Sequence, residues 1–469
     1  MEGLEISEVN YSKIVTENRY DSEYFQNKFI VAENYLPNKH HFRLGEKFKV
    51  TDGEHGSVEI QETGVKYLTA ENIKKGYVDV TNIRYVSNDV NKRNARASVN
   101  VGDILISIKG TLGEVAVAEK WLLPANMNRD VAIFKPLNIG VPNSEYIALF
   151  LMSYYGSLQS LRCGSGGVQQ MLTLERLRKF LIPVFSNSLF DDVSAFYKES
   201  QDLKIKAHKA YTQAETLLLQ EIGLQNFEPS KEPVNIKSFK ESFYREGRID
   251  SEYYLIKYEQ LREKLKSYKF GYKTLGGICN TFRGNFVSEE FYNLENGIKY
   301  IRGADISSNQ MSSDKLMTLS NGFKHSNELL TEKGDIVIAL IGSVGTASLI
   351  TADYSKSIIS NNLGLIRLYD KQFNPIYIHL FLTHKKIGQL LFKQKEMRTA
   401  QPKISDKDIV DFPIPIIDYN KQEQIVALVE ESFKLKAESE RLLEVAKKAV
   451  EIAIEENEEN ALRFIKDNN

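Results

Sequence analysis

Cysteine is scarce in this chain: Cys163 and Cys279 are the only two, far apart and outside any CxxC or Cys/His cluster. That spacing argues against a disulfide framework and against a zinc site; free core thiols are expected. No apolar run approaches the roughly 20 residues needed to cross a bilayer. The opening MEGLEISEVNYSKIV has neither a basic start nor an apolar core, so no signal peptide is expected and the cytoplasm is the expected compartment. Catalytic motifs are missing too. There is no GxxxxGK(S/T) to cradle nucleotide phosphates, no FxGxG or (D/N/S)PP(Y/F) of an amino-methyltransferase, and no HExxH for a metal. Net charge is nearly absent, −1 at pH 7. From Lys421 onward, however, 8 basic and 12 acidic residues occur, leaving +3 on the remainder.

What is present is a folded composition, 42% hydrophobic and 26% charged over 469 residues, enough for two to four domains. The organising stretch runs from Leu189 to Gly223 without Pro or internal Gly. Val193, Phe196, Ser200, Leu203, Ala207, Ala210, Ala214 and Leu217 recur at alternating spacings of three and four, the stripe of a long helix that needs a partner helix. A second stripe answers it: Ile425, Leu428, Ser432, Leu435, Ser439, Leu442, Ala446 and Ala449. Small seam residues let two helices approach closely, so an antiparallel coiled-coil pair is expected, packed through Val193, Phe196, Ser200, Leu203, Leu217, Ile425, Leu428, Ser432, Leu435 and Leu442. The alternative is two surface helices that each cover their own domain.

The helices belong to a larger duplication. RYDSEYF (from Arg19) returns as RIDSEYY (from Arg248), and GVKYL (from Gly64) as GIKYI (from Gly297). GDILISIKGTLGEVAVAE (from Gly102) returns as GDIVIALIGSVGTASLIT (from Gly334), and QQMLTLERLRKFLIPV (from Gln169) as QPKISDKDIVDFPIPI (from Gln401). Order is kept and the offset stays near 232 residues, so the chain is one unit written twice. Asp21 and Asp250 are expected N-caps. VKYLTA, DILISI, EVAVAE and DVAIFKP read as strands, and helices are expected over 145–161 and 375–393. The expected fold class is α/β (α+β): two domains with mixed sheets, joined by two long antiparallel helices as a quasi-two-fold repeat. The expected boundaries are 1–188 for the first domain, 189–225 for its helix, 226–239 for a Pro-containing linker, 240–418 for the second domain and 419–469 for the second helix.

The doubled series of RYDSEYF and RIDSEYY, GDILIS with GTLG, GDIVIA with GSVG, closing LIPV and PIPI, and paired helices resembles the specificity subunit of a Type I restriction-modification system over the whole chain. The resemblance implies two target-recognition domains that each read half of a split site on double-stranded DNA, with the helices setting the gap. It also implies docking of modification subunits, two in number, and of ATP-dependent restriction subunits. S-adenosylmethionine, ATP and Mg would then reside on those partners, with no cofactor, metal or catalytic residue in this chain and no membrane contact. Two rivals remain: recognition and catalysis in one chain, as in a single-chain methyltransferase or nuclease, and a coiled-coil scaffold that binds only proteins.

DNA recognition needs cations for phosphates and amide or guanidinium forks for base edges. Candidates in the first unit are Lys74 and Lys75, the run Lys92, Arg93 and Arg96, Lys109 before GTLG, and Arg129. The alternative for each basic run is a solvated loop, and for GTLG and GSVG a hairpin turn rather than a phosphate cradle. Gln169 and Gln170 in one loop, and Arg398, Gln401 and Lys403 in the matched loop, are the leading groove-contact candidates; in the resembled family this loop lies near the DNA-facing side. Arg283, Asn285 and Arg302 complete the set. The two units differ at variable positions, as in NKRNARASVN against FKHSNELLTE, so an asymmetric, bipartite target is expected.

Overall fold

The computed structural model describes residues 6–137, 142–164, 171–293, 297–307, 311, 316–320, 323, 329–397 and 401–468. It divides into a first unit, Met1–Ile205 with Lys436–Asn469, and a second unit, Lys206–Leu435.

In the first unit, strands Phe48–Asp52, Val131–Pro136, Ile104–Ser107 and Val115–Val117 form an antiparallel sheet in that spatial order. A three-stranded sheet places Val65–Leu68 between Arg84–Val86, antiparallel, and Ala125–Met127, parallel. The second unit repeats this plan. Cys279–Arg283, Leu363–Leu368, Ile336–Ala339 and Ala347–Leu349 make the antiparallel sheet, and Ile298–Ile301 pairs antiparallel with Met317–Leu319 and parallel with Ile358–Ile359. ILIS and IVIA, inner strands of the two antiparallel sheets, are buried at every position, whereas VKYL and IKYI in the mixed sheets leave Lys66 half-buried and Lys299 exposed. His41–Arg43 with Leu181–Pro183, and Tyr272–Thr274 with Pro413–Pro415, close each globular part. In both, a fully buried tyrosine holds the closure: the Tyr146 hydroxyl donates to the Pro183 carbonyl at 2.6 Å and that of Tyr377 to the Pro415 carbonyl at 2.9 Å.

The repeated RxDSEY motif has a structural job. Arg19 Nη2 and Arg248 Nη2 donate to Asp21 and Asp250 at 2.6 and 2.7 Å, and each guanidinium stacks over a tyrosine ring, Tyr24 or Tyr253. Asp21 also accepts from the Tyr24 backbone N–H, as an N-cap should. Asp250 makes no side-chain cap bond, although Arg248 grips both of its oxygens just as Arg19 grips those of Asp21.

Each single helix expected before the closing strand is two. Ser153 leaves the helical region between Ser144–Met152 and Tyr154–Cys163, its hydroxyl donating to the Phe150 carbonyl at 2.6 Å. In the second unit Pro375–Thr383 ends at extended His384, and Gly388–Lys395 follows. Apolar periodicity survives such a corner, so the pattern concealed it.

The long helices are Asn187–Glu221 and Tyr419–Glu455. Asn457 then caps a separate helix, Glu458–Asp467. Within the first unit the two long helices run antiparallel: Ser200 meets Ser439, and toward the helix ends the Ser186 N–H donates to Glu458. Within the second unit they do so again, Ser432 donating to the Ala207 carbonyl at 2.7 Å while Lys421 pairs with Glu221. Val193, Phe196, Ser200, Ile425, Ser432 and Leu442 are buried in these seams. Leu203, Leu217, Leu428 and Leu435 are only half-buried, and Leu218 and Val429 take the fully buried places beside two of them. A straight helix drifts by about 20° per heptad against a strict three-four stripe, so the apolar face walks onto the next residue over several turns. The seam residues continue into each domain's core, with Val193 and Ala446 in the cluster of Ile106, Phe134 and Phe150, and Leu218 and Ile425 in that of Ile338 and Phe381. At about 1.5–3 kcal/mol per fully buried large apolar side chain, this shared core fixes each helix segment to its domain.

Candidate nucleic-acid interface

Strand Phe48–Asp52 ends at Gly53, and a Cβ there would stand 2.1 Å from the Met127 carbonyl oxygen, so only glycine permits the approach. The close passage lets Glu54 enter beside Asn128 as a parallel bridge, with the Arg129 N–H donating to the Glu54 carbonyl at 3.0 Å. Two elements converge on this strand end. The helix Asn88–Arg93 is tied down by a buried amide network, Asn126 Nδ2 donating to Asn91 and Asn94 Nδ2 to Asn126, both at 2.8 Å. Asn126 is therefore structural. Arg96 donates to the Gly53 carbonyl at 3.0 Å and pairs with Asp52 at 3.3 Å, Arg93 pairs with Glu54 at 3.5 Å, and His55 pairs with Asp52 at 2.8 Å.

Arg93, Arg96 and Arg129 are thus brought to one place, and Lys109 joins through Asp130, 3.9 Å away. Lys92 shares the helix of Arg93 and is exposed. Arg129 is exposed and has no ion pair among the described residues. Hydrogen bonds from Gly56 and the neighbouring Arg93 hold the Glu54 carboxyl below its ordinary pKa, so it is an ionised acceptor at neutral pH.

Lys74 and Lys75 sit elsewhere. Their hairpin lies along Val115–Val117, at the opposite edge of the sheet from Phe48–Asp52. Its turn residue Gly76, at φ +80°, presses on Leu443 of the second long helix and accepts from the Tyr197 hydroxyl at 2.9 Å. The next residue, Tyr77, carries Lys204 Nζ 3.8 Å over its ring. This hairpin fastens the sheet to the helix pair. GTLG and GSVG are tight turns, with Gly110, Gly113, Gly342 and Gly345 all at positive φ and the N–H groups of Gly113 and Gly345 bonded back to Ser107 and Ala339. The hairpin reading holds there.

The second unit builds the same platform from other side chains. Gly284 occupies the place of Gly53, its Cβ position 2.1 Å from the Ser360 carbonyl oxygen, and Asn285 bridges Ser360 in parallel. Arg283 is exposed and, among the described residues, donates only to the Asn361 carbonyl, at 3.1 Å. Arg302 is committed otherwise: it forms a capping box and ion pair with buried Asp305 at 3.0 Å. Lys403 bridges Ile341, just before the GSVG turn, as Met171 bridges Lys109 before GTLG. Lys403 and Gln401 are exposed beside that turn. Gln169, Gln170 and Arg398 lie outside the described residues.

Asp52, Glu54 and His55 escaped a reading that searched for cations and amides, and Arg84 escaped it because it stands outside any basic run. The signal was available: Asn285, singled out in the second unit, lies 231 residues after Glu54, within the repeat offset.

Among the described residues no cluster of His, Cys, Asp and Glu could hold a metal ion, and no helix is long and apolar enough to cross a membrane.

The fold and the two platforms define an internally duplicated protein whose repeated domains offer one frame with two sets of polar side chains. The family model of the Type I restriction modification DNA specificity domain matches residues 42–185 and again 267–446; the chain belongs to this family and carries its domain twice. The Type I restriction enzyme EcoBI specificity subunit of Escherichia coli is 24% identical over 144 residues, 30% of this chain and 29% of that relative's length. Among solved structures, a Type I restriction-modification S subunit from M. genitalium aligns over 91% of this chain and 96% of its own, at 16% identity and a TM-score of 0.39. The HsdS subunit from Thermoanaerobacter tengcongensis aligns over 90% and 97%, at 14% identity and a TM-score of 0.29.

Proposed function

We propose that this chain is the non-catalytic DNA-reading subunit of a Type I restriction-modification assembly, and that it recognises an asymmetric, bipartite duplex target. One observation carries the reading: the platform at Gly53 recurs at Gly284 with the same backbone approach, yet Asp52, Glu54 and Arg129 are replaced by Arg283, Asn285 and Asn361. A conserved frame with exchanged donors and acceptors is what two readers of different base sequences require. Residues 1–188 and 240–418 would be the two readers, 226–239 their linker, and 189–225 and 419–469 the helical spacer that sets the unread gap. Exposed Lys92, Arg283 and Lys403 would serve phosphates, and Gln401 with the matched loop of Gln169 and Gln170 would enter a groove, as would Arg398. Two modification subunits would dock on this chain and supply S-adenosylmethionine chemistry, and restriction subunits would supply ATP and Mg, all in the cytoplasm.

Methylome sequencing of a host carrying this chain with its partner genes tests the reading. Two unlike half-sites separated by a constant gap are expected. Methylation without a split motif would overturn it, as would methyl transfer to DNA by the purified chain alone.

A further inference from the structure

Beside Gly53 a cleft of about 320 Å³ opens in the first unit, walled by Glu54, Tyr67, Arg84, Asn128 and Arg129. Its chemistry is selective. Glu54 is half-buried, with Oε1 fixed by the Gly56 N–H at 3.0 Å and Oε2 near Arg93. An ionised carboxylate repels phosphate, so a duplex can meet Glu54 only through a base-edge donor. Two bases offer such a donor in the major groove, cytosine through N4 and adenine through N6. The neighbours separate them. Asn128, the one amide among the described residues that line the cleft, is spent on Asp130: its Nδ2 donates to the carboxylate at 2.8 Å, and its Oδ1 accepts the Asp130 N–H at 3.1 Å. It cannot form the two-bond fork that reads adenine. Arg84 and Arg129, by contrast, are exposed and make no side-chain hydrogen bond or ion pair among the described residues, and the Arg129 backbone is hydrogen-bonded to Glu54.

We propose that this cleft reads a G·C base pair within the first domain's half-site, Glu54 accepting from the cytosine 4-amino group while Arg129 donates its fork to guanine O6 and N7. The assignment rests on the DNA-reading function proposed above and adds the residue and the base pair. The second domain, with Asn285 and Asn361 at the matched places, lacks this acceptor and reads its own half-site differently.

The test is competition binding by the purified assembly with its modification subunits, against duplexes in which each base pair of the target is exchanged in turn. Wild type should lose roughly 5- to 150-fold in affinity when one G·C pair of one half-site becomes A·T. Glu54→Gln, which keeps one carbonyl acceptor but adds an N–H donor, should weaken that preference or shift it toward A·T and leave every other position unchanged, and Arg129→Lys, at an exposed tip, should weaken the same preference. The assignment fails if both variants keep all wild-type preferences, or if the half-site they alter contains no G·C pair. Should Glu54→Gln not assemble, Arg129→Lys decides alone. A wild-type assembly that prefers no sequence would instead overturn the DNA-reading function itself.

Discussion

Ser200 and Ser439 exchange hydrogen bonds across the helix seam in the first unit: the Ser439 hydroxyl donates to the Ser200 carbonyl at 2.8 Å, and the Ser200 hydroxyl lies 2.9 Å from Ser439 Oγ, which is left to accept. Both residues are fully buried. Serine is small enough for close approach, and every hydroxyl proton has a partner. Removing one hydroxyl strands the other, so Ser439→Ala should destabilise by about 1–3 kcal/mol. The double variant with Ser200→Ala should cost less than the sum of the two single changes, by at least about 0.5 kcal/mol. Denaturant unfolding of the four proteins measures this, and strict additivity would show that the pair is not coupled.

Gly53 and Gly284 bring each strand end against a backbone carbonyl at a distance no Cβ tolerates. Alanine at either position must push the strand off its neighbour, at about 1–3 kcal/mol or more. Gly53→Ala should degrade reading of one half-site and Gly284→Ala the other, seen as motif relaxation in methylomes. Relaxation of the same half-site by both would contradict one platform per domain.

Among the described residues, the Arg283 guanidinium donates only to the Asn361 carbonyl. Arg283→Ala should weaken binding about uniformly across sequences, as loss of a phosphate contact does; a loss of about 1–3 kcal/mol confined to one base pair of the second domain's half-site would place its fork on a base instead. Binding to single-pair variants of the target distinguishes the two. Gln401→Ala is expected to act on that half-site too.

If the long helices set the gap, four residues inserted after Ala207 and after Ser439, about one turn or 6 Å each, should widen it while both half-sites stay the same. Altered half-sites with the old gap would remove the helices from that role.

Lys204 is packed over the Tyr77 ring, and burial lowers its pKa to about 8, partly opposed by Glu440. Between that value and the ordinary 10.5, the unfolded chain holds a proton that the folded chain has released, so this residue makes stability rise as pH increases through that window. Unfolding of wild type and Lys204→Met at pH 7.5 and 9.5 should show wild type gaining stability relative to the variant at the higher pH. An unchanged difference would mean that Lys204 does not titrate there.

The fold was legible to an unusual degree because it is written twice. Repeats at a steady offset gave the duplication, and three-four stripes around Ser200 and Ser432 gave two helices that had to pair. Legibility stopped where spacing carries no three-dimensional information. Lys74 and Lys75 look like a DNA-facing basic pair, yet Gly76 turns their hairpin toward Leu443. Arg302 looks as free as Arg283, but three residues later Asp305 is buried and takes its guanidinium. The split at Ser153 went unseen because apolar residues continue on both sides of it.

By itself the sequence determined the number of domains, their class and the partnership of the long helices, because repetition and periodicity are properties of order along a chain. Only tertiary structure decided which polar residues converge. Glu54, Arg84, Arg93 and Arg129 meet because Gly53 lets one strand end slide against the turn at Asn128, and contacts between segments about 75 residues apart leave no period to read.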